Sequence, residues 1–298
     1  MKTCLPDLLI AADLRDVAKL ESLPNDCKAV VNVSGNNILN PMRRWSSEFR
    51  EELWNSRIGT MKLLASVIQR SVHKPEVFVG ASAISYYGNH GPECNEECQH
   101  GDLSDPLVRL CVDWEKAARF PDNILIRQVT VRIGVVLGRS GGMIGNLFWP
   151  FYFGGGGRVG SGRQWLSWIH HKDVVGIFHH AIVNSDVRGA VNATAPNPCL
   201  NSEFATAFGR ALSRPALLPT PEFVLNLVFG SERASLMTKG RRVVPKRALD
   251  SGYGFQYRDI VTACQEFARR NWTREEMEAY MLLDRSNILK PPPPKSYF

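Results

Sequence analysis

The chain has no apolar run approaching the roughly eighteen residues of a membrane-spanning helix. Its beginning is no secretion signal either, because Asp7 interrupts the apolar stretch from Met1 to Leu14, and Asp13, Arg15 and Asp16 crowd its end. Cysteine is scarce: seven residues at irregular spacing in 298, an odd number that argues against a disulfide framework and for reduced thiols. These absences predict a soluble intracellular protein, cytoplasmic or mitochondrial and not secreted. There is no internal repeat. No glycine-rich strand–turn–helix, the element that grips a dinucleotide's pyrophosphate, opens the chain. The run Gly154–Gly157 with Gly160 and Gly162 looks like a phosphate cradle, but lacks a strand before it and a helix after it.

What is present is an ordinary globular composition. Hydrophobic residues make up 44% and charged residues 22%, which excludes disorder, and the length suits one large domain or one domain with a small appendage. The net charge of +7 admits nucleic acid, a membrane surface or an anionic cofactor as partner. The basic residues are dispersed, apart from Lys239-Gly240-Arg241-Arg242 with Lys246 and Arg247, and no aromatics interleave with them. A solvated basic face is therefore expected, with no nucleic-acid or membrane partner.

Apolar periodicity alternates between strand and helix. Lys28–Gly35 is a short apolar run ending in small polar residues, as a buried parallel strand does. Ser46–Val72 carries Phe49, Leu53, Ile58, Met61, Leu64, Ala65 and Ile68 at helical spacing. Pro75–Ser82 reads as a second strand, Leu103–Arg119 as a second helix, and Ile124–Leu137 as one or two strands. Ser167–Ile169 precedes a helix over Asp173–Asn184, and Gly189–Ala195 is another strand. Such alternation predicts an α/β fold with a doubly wound parallel sheet. After Pro196 the texture turns helical: Asn201–Leu212, with Asn201 as the expected cap, then Pro221–Gly230 and Arg258–Arg270. The expected organisation is a domain over 1–196, a mainly helical subdomain over 197–270, and a tail over 271–298 containing Lys290-Pro-Pro-Pro-Pro-Lys295.

Ligands of doubly wound sheets bind outside the carboxyl ends of the strands. Three strand ends here are small and polar: Asn32-Val33-Ser34-Gly35, Gly80-Ala81-Ser82-Ala83 and Arg132-Ile133-Gly134-Val135. Small residues let a ring or ribose lie close to backbone, although tight helix-on-strand packing asks for the same residues.

At these strand ends the sequence resembles a known family. SGNNILNPMRRW (Ser34–Trp45), SAISYYG (Ser82–Gly88), LCVDWE (Leu110–Glu115), VRIGVVLGRSGGM (Val131–Met143), GSGRQWLSWIHHKD (Gly160–Asp173) and VVPKRALDSGYGFQY (Val243–Tyr257) are similar to the atypical extended short-chain dehydrogenase/reductases labelled epimerase family proteins. The likeness runs in order over roughly residues 20–265. It implies a Rossmann-like domain that binds NADP(H), a small C-terminal domain, and an oxidoreductase or epimerase-like activity on an unassigned small-molecule substrate. Asn32, Ser34, Gly35, Ser82, Gly134, Val135 and Val136 are implied at the cofactor, and Arg163, Gln164, Trp168 and His170 at the substrate.

Two departures qualify it. The sequence begins near the third strand of such a domain, so the first β-α-β with its glycine loop is expected to be missing. NADP(H) would then bind weakly, and the exposed edge of the Lys28–Gly35 strand would favour self-association unless residues 1–20 cover it. The tyrosine and lysine of the Tyr-x-x-x-Lys that ordinary short-chain dehydrogenases carry also fall on Leu107 and Cys111, a substitution that the resemblance implies for the whole atypical branch. Lysine ordinarily lowers the pKa of that tyrosine so that it can move a proton near neutral pH. Ser82, with Ser85 second, takes the place of the serine that orients a substrate carbonyl. Tyr86 and Tyr87 are the candidates to replace the missing phenol, against the alternative of aromatic packing under the turn. Cys111 reads as a thiol acid or as a buried small hydrophobe. His170 reads as a general acid/base or as a structural histidine near Asp173. The loop residues His90, Cys94, Cys98 and His100 have zinc-ligand chemistry, but their spacing fits no common zinc motif, and no metal is expected. The competing reading is a non-catalytic nucleotide-sensing or scaffold protein.

Overall fold

A computed structural model describes residues 27–39, 43–121, 123–139 and 141–268. The readings of the first residues and of the proline-rich tail lie outside them.

Four parallel strands form the main sheet in the order β1-β2-β3-β7, with β1 at Ala29–Asn32, β2 at Val77–Ala83, β3 at Arg127–Ile133 and β7 at Gly189–Ala193. Six of the seven residues of β2 are buried, as expected of a strand covered by helices on both faces. β1 is shorter than its apolar run because the Asn32 carboxamide accepts hydrogen bonds from the Ser34 amide (3.0 Å) and hydroxyl (2.7 Å), turning the chain there. Among the described residues β1 pairs with β2 alone, and Val31 and Val33 are exposed. Whether residues 1–20 cover this edge lies outside the described part of the chain.

The long helix predicted between β1 and β2 forms, but a single π turn interrupts it. Helix α1 (Ser47–Trp54), capped by the Ser46 hydroxyl, runs into a π-helical turn at Asn55–Gly59 and continues as α2 (Thr60–Arg70). Thr60 donates from Oγ1 to the Ser56 and Arg57 carbonyls at 2.8 and 2.9 Å, satisfying groups that the widened turn disturbs. Helix α3 (Pro106–Ala117) starts where Asp105 accepts from the Leu107 amide and Pro106 stands in the first turn. It buries Leu107, Leu110, Cys111 and Trp114.

At Gly134 the chain leaves the main sheet. Its amide bonds to the Ala193 carbonyl, and a Cβ there would stand 2.4 Å from the Ser167 carbonyl oxygen, so only glycine permits the crossing. β4 (Val135–Gly138) then pairs in parallel with β6 (Trp168–His170). Between them lies α4 (Gly142–Tyr152), a helix that the sequence reading missed because Gly142, Gly145 and Pro150 obscure its apolar pattern. The glycine run beyond it serves packing: added Cβ atoms would strike the Phe151 ring from Gly156 and the Leu218 carbonyl from Gly157.

Helix α5 (His171–Val183) leads to β7, and β8 (Cys199–Leu200) pairs antiparallel with β5 (Trp165–Leu166). The remaining helices are α6 (Asn201–Ala211), α7 (Glu222–Phe229), α8 (Ser231–Thr238), α9 (Lys246–Asp250) and α10 (Ile260–Phe267). Asn201 is not the cap of α6. Its side chain accepts from the Val159 amide, and Glu203 bonds the free Leu200 amide instead.

One hydrophobic core lies between the main sheet and α2, α3 and α5. A second unites Leu137, Ile144, Phe151 and Trp168 with Phe204, Phe208, Ile260 and Phe267, so residues before and after Pro196 share it. Among the described residues no helix is long and apolar enough to cross a membrane. The basic cluster is spent on internal contacts. Arg241 donates to the carbonyls of Pro92 and Tyr87, Arg242 pairs with Glu93, Lys246 with Glu97 and Asp250, and Arg247 bonds the carbonyls of Arg188 and Ala190.

Candidate active site

The carboxyl ends of β1, β2 and β3 meet in one region, and a buried charge network lies beneath it. Side-by-side pairing places Ser82 of β2 against Arg132 of β3. The Arg132 guanidinium grips Glu115 of α3 through two N–H···O bonds of 2.8 Å, and Ser82 donates to the same carboxylate at 2.8 Å. Arg132 also donates to the Tyr87 hydroxyl at 2.9 Å, and Tyr87 passes its own proton to Asn192 Oδ1 at 2.8 Å. The Glu96 carboxylate closes the network by accepting from the backbone amides of Asn192 and Arg247.

Burial fixes what these groups can do. It pulls on the Arg132 cation, but Glu115 and Tyr87 outweigh that and raise its pKa above the arginine range, so it stays charged. Burial raises the Tyr87 hydroxyl, with Arg132 only partly opposing, so Tyr87 is a hydrogen-bond donor and no base. Burial also pushes the Cys111 thiol up to about 12, with Glu115 adding to it, which makes Cys111 a neutral packing residue.

The candidates therefore separate. Ser82 is 2% exposed with its hydroxyl committed to Glu115, and Tyr87 is 1% exposed with its hydroxyl held on both sides. Neither presents a free hydroxyl. Ser85 and Tyr86 stand on the 3-10 turn Ile84–Tyr87 immediately after β2, both half-buried. Among the described residues nothing takes up either hydroxyl. The Tyr86 ring is fixed by the Arg132 guanidinium, 3.5 Å from its centroid, and by edge contacts with Tyr87 and His100. Ser85 was the second choice for the serine from sequence; the signal that Ser82 is occupied lies in Glu115 and Arg132, far from it in the chain.

At β1, Asn32 is buried and Ser34 bonds both to it and to Thr60 Oγ1 at 3.1 Å, so these two side chains shape the strand end. Gly35 is exposed beyond them, with the Arg57 guanidinium packed on its face. Gly134 has its Cα face covered by Ser167 and Thr194; Val135 is half-buried and Val136 exposed.

The residues expected at the substrate do not gather. Trp168 is fully buried and donates to the Asn197 carbonyl. His170 is fully buried too, stacked 3.7 Å from the Tyr257 ring, accepting from the Lys172 amide and facing Glu266 at 3.3 Å. Its place at the start of α5 explains both histidine and burial: it caps a helix inside the second core. Gln164 donates to the Val159 and Met237 carbonyls, tying the glycine loop to α8, while Arg163 is exposed.

The sulfurs of Cys94 and Cys98 are brought against each other in one loop, whereas Cys27, Cys111, Cys199 and Cys264 stand apart among the described residues. Proximity four residues apart in a loop, invisible in an irregular cysteine spacing, brings the two together. Among the described residues no three metal-ligating side chains converge, and His90 and His100 lie apart from any such group.

Residues 220–267 match the family model "Domain of unknown function (DUF1731)". The chain is 43% identical to epimerase family protein SDR39U1 of Bos taurus over 242 residues, covering 80% of this chain and 82% of that protein. It is 34% identical to epimerase family protein YfhF of Bacillus subtilis over 236 residues, 79% and 76% of the two chains. The crystal structure of human SDR39U1 (isoform 2) with NADPH superposes with a TM-score of 0.81 at 41% identity, covering 85% of each chain.

Proposed function

This chain belongs to the SDR39U1 epimerase family, and we propose that it is an NADP(H)-dependent oxidoreductase or epimerase-like enzyme acting on a small carbonyl or alcohol substrate. The carrying observation is the pair of hydroxyls at the carboxyl end of β2, those of Ser85 and Tyr86, that no described residue takes up. The NADPH in the crystal structure of a relative 41% identical supports the cofactor. The residues present here suit such a ligand: three parallel strands end together, and a cation, Arg57, lies against the backbone of Gly35 at that end.

When bound, the nicotinamide supplies or accepts hydride. The protein's part is to polarise and orient the substrate oxygen. Ser85 donates a hydrogen bond to it, and the Tyr86 hydroxyl exchanges its proton. Arg132 holds the Tyr86 ring in place, and Glu115, to which Ser82 donates, holds Arg132. Leu107 and Cys111, where ordinary short-chain dehydrogenases carry tyrosine and lysine, are buried hydrophobic positions here, so they contribute packing only.

NADPH oxidation against a panel of aldehydes and ketones tests this. Ser85→Ala and Tyr86→Phe should each lower the rate about 10²–10⁴-fold, the usual contribution of a positioned proton donor. Ser82→Ala should act mainly through stability. If no carbonyl is reduced and NADPH still binds, the non-catalytic nucleotide-sensing reading replaces this one; buried Leu107 and Cys111 are the observation in its favour.

A further inference from the structure

Two of the cysteines stand in a setting unlike the others. Cys111, Cys199 and Cys264 are buried, with thiols pushed up to about 12, whereas Cys94 and Cys98 share one loop beyond the Ile84–Tyr87 turn. A local turn brings these two together. The Asn95 carbonyl accepts from the Cys98 amide at 3.1 Å, and the Asn95 carboxamide oxygen accepts from the Glu97 amide at 2.9 Å, which folds Cys98 back over Cys94. Their Cα atoms are 5.9 Å apart, inside the range that a disulfide bond spans. Cys94 is buried and Cys98 half-buried, so the pair has an inner and an outer sulfur.

The loop is fastened to the structure beneath the candidate site. The Cys94 amide donates to the Arg242 carbonyl at 2.9 Å, and its carbonyl accepts from the Val244 amide at 2.8 Å. Between the two cysteines, buried Glu96 accepts from the amides of Asn192 at 2.9 Å and Arg247 at 3.2 Å, and Asn192 in turn accepts the Tyr87 proton. Cys94 packs with Tyr87 and Val243 in a small apolar cluster, against which Tyr86 and Cys98 lie. The two thiols therefore belong to the same cluster as the turn that carries Ser85 and Tyr86.

We infer that Cys94 and Cys98 are a reversible thiol–disulfide site, oxidised by a low-molecular-weight disulfide, and that the bond clamps the Glu96 loop beneath the Tyr86–Tyr87 turn. This site is independent of the activity proposed above. The Cys98 thiolate, the outer one, attacks one sulfur of the small disulfide and expels the other as a thiol. Cys94 then gives its proton to solvent, and its sulfur attacks Cys98 Sγ and expels the second thiol. Two cysteines are oxidised by two electrons, and one small disulfide is reduced to two thiols. Closing the ring takes conformational freedom from Asn95, Glu96 and Glu97 in the open loop, so the Glu96 carboxylate stays on its two amides.

The reduced full chain, equilibrated in glutathione buffers of rising oxidised-to-reduced ratio, alkylated and mapped by peptide mass spectrometry, tests the assignment. Cys94 and Cys98 should become protected together as the ratio rises, and a reductant should recover both without unfolding the chain. Cys94→Ser should trap glutathione on Cys98, while Cys98→Ser should leave Cys94 unmodified. Cys94→Ala, which keeps the inner position apolar, repeats the trap where serine disturbs the fold. In the oxidised parent, the Asn192 and Arg247 amides should exchange hydrogen about tenfold more slowly than in the reduced one. The melting temperature should rise by about 4–8 °C. Alkylation of both cysteines at every ratio overturns the inference, and so does glutathione that stays on Cys98 of the parent unresolved. A bond that yields to reductant only after unfolding is a fixed crosslink and overturns reversibility. A bond that forms with unchanged exchange at Asn192 and Arg247 overturns the clamp.

Discussion

Replacing Glu115 with alanine should be among the most damaging single changes in the chain, and the reason can be followed atom by atom. Glu115 holds the Arg132 guanidinium through two 2.8 Å bonds in a site where the two side chains are 6% and 13% exposed. Without Glu115, the guanidinium keeps the Tyr87 hydroxyl and the Tyr86 ring as neighbours but has no counter-charge, and the Ser82 hydroxyl loses its acceptor. Removing one partner of a buried pair costs about 3–5 kcal/mol, because the remaining charge stays desolvated. At about 2–4 °C per kcal/mol for a domain of this size, the melting temperature should drop by about 6–20 °C. Arg43–Glu52 supplies the internal control. It has a bond of the same quality, 2.9 Å, but its side chains are 47% and 46% exposed, so Glu52→Ala should change stability by less than about 1 kcal/mol. Differential scanning calorimetry on the two variants measures the contrast. A Glu115→Ala drop of less than about 2 °C would show that water reaches Arg132 in solution, and the argument from burial would fail.

Other consequences are smaller but equally specific. Gly176→Ala places a Cβ against the Tyr253 hydroxyl, which bonds Asp173, so it should cost about 1–3 kcal/mol by overpacking, read as a shift in denaturation midpoint. Cys111, Cys199 and Cys264, all buried and pushed up to about 12, should stay unlabelled by a thiol-directed disulfide reagent at pH 8 in the native chain, and peptide mapping should find them modified only after unfolding. Burial lowers the His180 pKa, so the unfolded chain takes up its proton first as pH falls below about 6.5. Stability should therefore decline from there down to the folded-state pKa, and His180→Asn should flatten that part of the profile measured by chemical denaturation.

Periodicity was enough to place most of the parallel-sheet architecture. The apolar runs at Ala29–Asn32, Val77–Ala83, Arg127–Ile133 and Gly189–Ala193 are parallel strands flanked by amphipathic helices, although Ala29–Asn32 is only partly buried, and apolar spacing is a local property that survives without knowledge of neighbours. Quoted motifs likewise led to the family. Periodicity failed over Gly142–Tyr152, where glycine and proline interrupt a helix that is stabilised by packing against Phe204 and Phe208 of the second core. The site divided in the same way. That the end of β2 carries hydroxyls and phenols was legible in SAISYYG. Which of them are free was not, because the answer depends on Glu115 and Arg132, thirty-three and fifty positions beyond Ser82, folding under the strand end and claiming its hydroxyl. Trp168 and His170 carry side chains suited to binding, but only the closing of the second core around them decides that they serve packing and a helix start. Arg57 is one more charged residue on an amphipathic helix when read as sequence. Only the approach of Gly35 and Trp114 from two other segments makes it a half-buried cation beside an aromatic ring, since burial is a property of the folded surroundings and not of the residue.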